Sequence, residues 1–457
     1  MQLKLYDLLT QNFILNKLSY IRKKLDIHTE EVIRGASVSF AVKVIAAILG
    51  FALNVVLVRL LGASNAGLYF LVFTVATIAA TLGQAGLRNT FIRFVACNAA
   101  VDDWTKVKGI YKKGILIAIV ASIVTSVIMF LLASWLAECL FKKPEMSKVL
   151  LWMALSVVPY ALYMLFSSLL QGLKRIFEAM LVLSVLNPAF MIIISLILIP
   201  LKGIIGTAWA FILAAFLTLI IGIWRWNKST SRFKGLNGYF KTSDMLQSSI
   251  PLFWVSILNL IIYWSSNLML GMWGTSTDVA IFNVANRTSH LTNFILLAVN
   301  SIAAPKFATL FHQGDFKTLE RIVRNSTKIM IIMAIPSLFF FIIIPRFVMG
   351  IFGPEFAENG LILMILGIGQ FINVSTGSAG YLLIMCGQER IWRNNLALSS
   401  AINLVLNMTL IPSYGATGAA LATAITLSLQ MLIAVGLAKW KLAIMTIPIF
   451  KAQMKNL

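Results

Sequence analysis

Leu61-Gly62-Ala63-Ser64 and Trp273-Gly274-Thr275-Ser276 carry one pattern 212 residues apart, and each stands between two long apolar runs. Further markers recur at the same offset. Pro200 and Gly206 answer Pro412 and Gly418, while Gly172 with Arg175 answers Gly387 with Arg390 at 215. Two copies of one hydrophobic plan point to a transporter whose pathway lies between the repeats.

Composition names the solvent. Of 457 residues 59% are hydrophobic and 12% charged, with a mean hydropathy of +0.89. Soluble domains carry roughly 25% charged residues. Runs such as Val182 to Ile199 hold no charge at all. About 20 such residues cross a bilayer as a helix, because only a ladder within the segment satisfies the backbone there. Strand-like alternation is absent, which excludes a β-barrel.

An all-α polytopic membrane protein is therefore expected, with about 12 transmembrane helices in two pseudo-symmetric six-helix bundles around a central cavity. The spans read as 37–59, 66–88, 114–136, 149–171, 179–200 and 204–224. The second six are 249–270, 279–303, 327–345, 360–386, 392–411 and 416–438. Domain limits follow as an amphipathic cytoplasmic segment 1–34, bundles 35–226 and 248–440, a linker 227–247 and a tail 441–457.

The formal charge of +22 invites a nucleic-acid reading, and its distribution rejects it. With the N-terminus inside, 30 of the 38 Lys and Arg fall in inner loops and termini and six in outer ones. That asymmetry is the positive-inside rule, and it puts both termini in the cytoplasm. Residues 1–34 lack the apolar core of a signal peptide. Cys97, Cys139 and Cys386 have neither metal nor disulfide spacing. No phosphate-binding loop or catalytic triad is legible and no outer loop is large, so an enzyme is not expected, nor a cofactor.

Polar side chains inside the spans are the candidate site. Span 8 places Asn283, Asn286, Arg287, His290, Asn293 and Asn300 on one arc of roughly 140° at 100° per residue. Span 2 aligns Thr74, Thr77, Thr81, Gln84 and Arg88, and span 7 aligns Ser256, Asn259, Tyr263, Ser266 and Asn267. Span 1 stacks Lys43, Gly50 and Asn54. Asn and Thr in such helices also serve as interhelical glue, Arg88 stands at the inner interface, and Lys43 is within snorkelling reach of it. His290, the one His among these spans, reads as a hydrogen-bonding partner. All sixteen Asp and Glu fall at span ends or in loops, where Glu178 reads as a local partner of Arg175. A cavity with cations and no acid suits an anionic substrate such as a phosphate or pyrophosphate.

The motifs resemble a known family. Val58-Arg59-Leu60-Leu61-Gly62-Ala63-Ser64-Asn65-Ala66-Gly67-Leu68-Tyr69 is similar to the junction between the first two spans of polysaccharide-unit flippases. Gly86-Leu87-Arg88-Asn89-Thr90-Phe91-Ile92-Arg93-Phe94, Leu170-Gln171-Gly172-Leu173-Lys174-Arg175 and Pro305-Lys306 with Gly314-Asp315 match later junctions of that family. The resemblance is to the Wzx-type branch of the multidrug/oligosaccharidyl-lipid/polysaccharide exporter superfamily, and it covers about residues 35 to 435.

It implies alternating access and translocation of a polyprenyl-pyrophosphate-linked oligosaccharide, for O-antigen, lipopolysaccharide or a similar surface polysaccharide, across the bacterial cytoplasmic (inner) membrane. The implied partners are that glycan lipid, membrane lipids, and a polysaccharide polymerase with its chain-length machinery. Arg287, Lys43 and Arg88 would then bind the pyrophosphate. Asn54, Gln84, Asn259, Tyr263, Asn267, Asn283, Asn286 and His290 would meet the sugars. The alternative is a cation-coupled multidrug or small-solute exporter of the same superfamily, which the lack of buried acids disfavours.

Overall fold

The computed structural model describes residues 27–233 and 235–447. The amphipathic segment expected at 1–34 and the tail at 441–457 lie largely outside those residues. Among them there are helices and no strand.

The first half comprises α1 (Ile27–Gly83), α2 (Leu87–Ala100), α3 (Trp104–Trp135), α4 (Met146–Ala154), α5 (Val157–Gly172), α6 (Ile176–Met180), α7 (Leu186–Lys202) and α8 (Ile204–Ser229). The second comprises α9 (Thr242–Trp273), α10 (Ser276–Ser289), α11 (Asn293–His312), α12 (Phe316–Ile343), α13 (Pro345–Gly350) and α14 (Pro354–Ala357), then α15 (Gly360–Ser375), α16 (Ala379–Met385) and α17 (Glu389–Leu442).

Seven of the described helices are long and apolar enough to cross a membrane, or nine if each of two bent pairs is one span. The expected twelve is not reached by that measure, for physical reasons. The apolar part of α1 runs 43 residues, about 64 Å if straight, or twice a hydrocarbon core of ~30 Å. Gly62, at φ 73° and ψ 168°, breaks it into two passes, and Gly415 does the same in α17. The passage from Ser276 to His312 is divided by a 3₁₀ turn at His290–Thr292. α4 and α5 meet at 49°, and α15 and α16 at 40°.

Spans 3 and 9 begin earlier than hydropathy suggests, at Trp104 and Phe316. Both are started by an aspartate cap: Asp103 accepts from the Lys106 amide and Asp315 from the Thr318 amide. The residue before each cap has positive φ, 54° at Asp102 and 72° at Gly314. The side chain satisfies one orphan amide of the first turn, so the helix extends through a basic stretch that hydropathy alone would leave as loop.

These caps are 212 residues apart, and so is a helical hairpin. Gly203 (57°, −139°) and Gly415 (53°, −129°) reverse the chain with nearly one geometry. A Cβ on Gly206 would stand 2.3 Å from the Leu198 carbonyl oxygen, and one on Gly418 2.1 Å from that of Leu410. Only glycine lets the returning helix approach so closely. The sequence repeat is a structural repeat.

The large core binds the first half to α10 and to the helices around Phe352 and Leu366 of the second. A smaller core joins α11, α12, α16 and the end of α17.

Candidate functional site

Arg287 sits where the halves meet. Asn54 donates its amide to the Gly50 carbonyl at 2.7 Å, which orients the side chain along α1 and leaves Oδ1 toward the second half. Arg287 Nη1 donates to that oxygen at 2.8 Å. The guanidinium carbon lies 4.9 Å from the Phe70 ring centroid and 5.4 Å from that of Phe73. Aromatic faces and an amide oxygen stabilise a cation without neutralising it. Among the described residues this is the one hydrogen bond of a group with five N–H donors. The charge and most of its donors stay available to an anion.

Two cavities share Arg287 as a wall. The first, about 240 Å³, is lined by Asn54, His290, Phe294 and Phe352 among others. The second, about 210 Å³, lies within the first half and is lined by Tyr69, Phe73, Tyr160, Tyr163, Asn187 and Phe211 among others. A third, about 530 Å³, brings together Gln84, Arg88, Asn259 and Tyr263 with Asn89, Gln171 and Ser256. None of the three is lined by a carboxylate.

The structure thus sorts the expected site residues. Arg287, Asn54 and His290 meet in one cavity; Gln84, Arg88, Asn259 and Tyr263 meet in another. Lys43 and Asn286 line none of the three. Asn267 and Asn283 are turned into a buried knot instead. Asn283 Nδ2 donates to Asn267 Oδ1 at 2.6 Å, and Asn267 Nδ2 returns the bond at 2.9 Å and reaches Thr74 Oγ1 at 3.1 Å. These amides hold helices together, the glue role that such residues play in membranes.

His290 also works within the second half. Its Nδ1 is 2.8 Å from Asn293 Nδ2, whose own oxygen accepts from Asn373 at 2.9 Å, with Gln370 alongside. The single polar arc expected along span 8 is divided at the 3₁₀ turn: Arg287 reaches Asn54 of the first half, while His290, on the same cavity, and Asn293 beyond it bond within their own half. The ion pair expected between Glu178 and Arg175 does not form among the described residues. Glu178 Oε2 accepts from Ser229 Oγ at 3.4 Å instead.

Four chamber residues escaped the sequence reading: Tyr69, Tyr160, Tyr163 and Asn187. The signal was present, since Tyr160 and Tyr163 are one turn apart and Asn187 is the sole Asn of its span. Tyrosine in an apolar helix reads as core or interface, and that masked it.

At the Gly62 end the halves are closed. A Cβ on Gly67 would stand 1.7 Å from the Ser276 carbonyl oxygen. Lys143 Nζ donates to the Gly271 and Gly274 carbonyls at 2.6 and 3.0 Å, Arg59 Nε donates to that of Ile351 at 2.9 Å, and Glu355 accepts from the Ala63 amide at 3.3 Å. At the other end the linker is pinned to α3, with Lys108 donating to the Phe233 and Leu236 carbonyls and Lys113 to that of Phe240.

Residues 32–311 match a family described as polysaccharide biosynthesis protein. Two similar proteins of Haloferax volcanii are named as a probable low-salt glycan biosynthesis flippase, Agl15, and a probable flippase, AglR. The first is 28% identical over 171 residues, 36% of this chain and 36% of its own length; the second is 25% identical over 187 residues, 40% and 39%. The chain thus spans well under half the length of the relatives it matches.

Among solved structures, the lipid II flippase MurJ in an inward closed conformation superposes with a TM-score of 0.72 at 16% identity, over 88% of this chain and 87% of that one. An inward-facing multidrug resistance MATE family transporter of the MOP superfamily gives 0.70 at 15% identity, over 89% and 98%. Both share the fold.

Proposed function

The chain belongs to the polysaccharide biosynthesis protein family, and from that premise we propose that it is a flippase for a polyprenyl-pyrophosphate-linked oligosaccharide. The observation that carries the reading is Arg287, a cation with spare donors between the halves, in cavities that hold no carboxylate. A pyrophosphate satisfies such a group; a drug cation does not.

In this reading Arg287 binds the pyrophosphate, while Arg88, Gln84, Asn259 and Tyr263 line the approach from the cytoplasmic side. Lys43 lies along the face of α1 that carries Gly50 and Asn54, and attracts the anion without contacting it at rest. The polyprenyl tail stays in lipid. Rocking of bundles 35–226 and 248–440 about the linker 227–247 carries the head group across, sparing it an unpaired passage through hydrocarbon. The excess of inner-loop cations supports a cytoplasmic membrane location with both termini inside. O-antigen or a similar surface polysaccharide is the fitting cargo class, with a polymerase and its chain-length machinery acting on it afterwards. The chain's own task is translocation, not bond chemistry.

The test is made on membranes depleted of the protein. Lipid-linked oligosaccharides are quantified by mass spectrometry, and their leaflet is probed with an impermeant sugar-modifying enzyme. A completed unit held on the cytoplasmic face, released by the wild-type chain and not by Arg287→Ala, is the expected result. Units already outside in the depleted strain would end the proposal.

A further inference from the structure

The chamber beside Arg287 is where the two repeats part company. At positions 212 apart, Ser265, Ser266, Asn403, Asn407 and Thr423 of the second half correspond to Leu53, Asn54, Met191, Ser195 and Phe211 of the first. In the second half these side chains close on one another. Ser265 Oγ donates to Asn403 Oδ1 at 2.6 Å, Ser266 Oγ to Asn407 Oδ1 at 3.1 Å and Asn407 Nδ2 to Asn403 Oδ1 at 2.9 Å; the hydroxyls of Ser266 and Thr423 lie 3.2 Å apart. The polar groups there are paired with one another.

In the first half the equivalent space is the 210 Å³ chamber, with Leu53, Asn54, Met191 and Phe211 on its wall. Asn187, the counterpart of Ser399, is 7% exposed and its Nδ2 has no partner. Tyr69 and Tyr163 line the same chamber, each 3% exposed, and their hydroxyls take no hydrogen bond among the described residues. Tyr160, at 9%, adds a third hydroxyl. Buried amides and hydroxyls are normally paired, and three without a partner in one void, where the sister repeat pairs its own polar groups, point to a ligand.

We infer that this chamber binds one neutral pyranose, the sugar joined directly to the pyrophosphate; the inference rests on the flippase reading. A pyranose offers hydroxyls to the amide and phenols, and a C–H face to the rings of Phe73 and Phe211. The volume has room for about seven waters, the bulk of a single sugar ring. No carboxylate lines it, so it is not built for a cation. Arg287 at its mouth is where the adjoining phosphate would lie. Recognition then reads the first sugar only, and sugars beyond it go unread by this chamber.

The experiment titrates the purified full-length chain in detergent, by native mass spectrometry, with farnesyl pyrophosphate and with farnesyl-pyrophosphoryl lipids carrying one hexose or N-acetylhexosamine. At least one glycosylated lipid should bind about tenfold more tightly than the bare one, the scale of one or two net hydrogen bonds. Tyr163→Phe and Asn187→Leu should each remove that difference and leave the bare lipid's affinity unchanged, whereas Arg287→Ala weakens both lipids. Should Asn187→Leu fail to fold, Tyr163→Phe and Tyr69→Phe carry the measurement. Equal affinities for bare and glycosylated lipids in the unaltered chain, or variants that weaken both alike, overturn the chamber assignment and leave the flippase reading standing. If neither lipid binds, the flippase reading itself falls.

Discussion

Arg287 donates to Asn54 Oδ1 across 2.8 Å, and the two residues stand 233 positions apart, one in each half of the chain. Charge and amide thus join the two halves at the point where a substrate anion is proposed to bind. In the proposed function an arriving phosphate would draw on the same guanidinium charge that Asn54 Oδ1 draws on, so the two acceptors compete for it.

Asn54→Asp tests that competition. A carboxylate there would pair with Arg287 about twice as strongly as the amide does, and would repel an anion. Transport in the leaflet assay should fall about tenfold or more, while Asn54→Ala should have the smaller effect. Equal behaviour of the two variants would mean that Arg287 does not meet the anion.

Gly67→Ala probes closure at the Gly62 end. Its Cβ would overlap the Ser276 carbonyl, a backbone atom that cannot swing aside. The halves should therefore stand further apart at that end. Labelling of a cysteine placed at Ser276 by an impermeant maleimide should rise several-fold in the Gly67→Ala background, and an unchanged rate would contradict the packing described.

The Asn267–Asn283 knot is expected to matter for stability alone. Asn283→Ala leaves the buried Oδ1 of Asn267 without its donor, while Nδ2 keeps Thr74, at about 1–3 kcal/mol. At roughly 2–4 °C per kcal/mol for chains of 150–250 residues, and less per kcal/mol for a longer one, the melting temperature in detergent should drop by a few degrees. The affinity for farnesyl pyrophosphate should hold. A selective loss of affinity would return these residues to the binding site.

The cap at Asp103 predicts a pH dependence. A hydrogen bond with the Lys106 side chain, then those with the Thr105 hydroxyl and the Lys106 amide, draw this carboxyl down to about 2. A depressed folded value means that the cap contributes fully above the unfolded value of ~3.9, and that the contribution is lost as pH falls through about 2. Protection of the Lys106 amide from exchange, corrected for intrinsic rate, should hold at pH 5 and fall toward pH 2. Asp103→Asn should show protection with no such loss.

Much of the fold was legible because membrane helices declare themselves. The repeat emerged in the caps at Asp103 and Asp315 and the hairpins at Gly203 and Gly415, whereas Gly62 and Gly274 differ in φ, 73° against −102°. Helix limits were less legible: hydropathy cannot see that Asp103 and Asp315 extend spans 3 and 9 into basic stretches. Arg287 was legible because a cation in mid-span must face something polar. The division of its neighbours was not. An ideal helix places His290 on Arg287's cavity, where it lies, but a 3₁₀ turn that no residue type announces follows it, and Asn293 and Asn300 beyond that turn bond to Asn373 and Ser378 of their own half. The tyrosine chamber stayed hidden for a further reason: unpaired hydroxyls are a property of what fails to pack around them.

The bonds that shut the Gly62 end have an unusual chemical character for charged side chains. Arg59 and Lys143 reach backbone carbonyl oxygens, not acids. A carbonyl has no titration and no net charge for salt to screen. Water can replace either ammonium or guanidinium there at little penalty, one contact at a time. Opening this end therefore separates no ion pair at Arg59 or Lys143 among the bonds described, and these contacts can be broken and remade one hydrogen bond at a time.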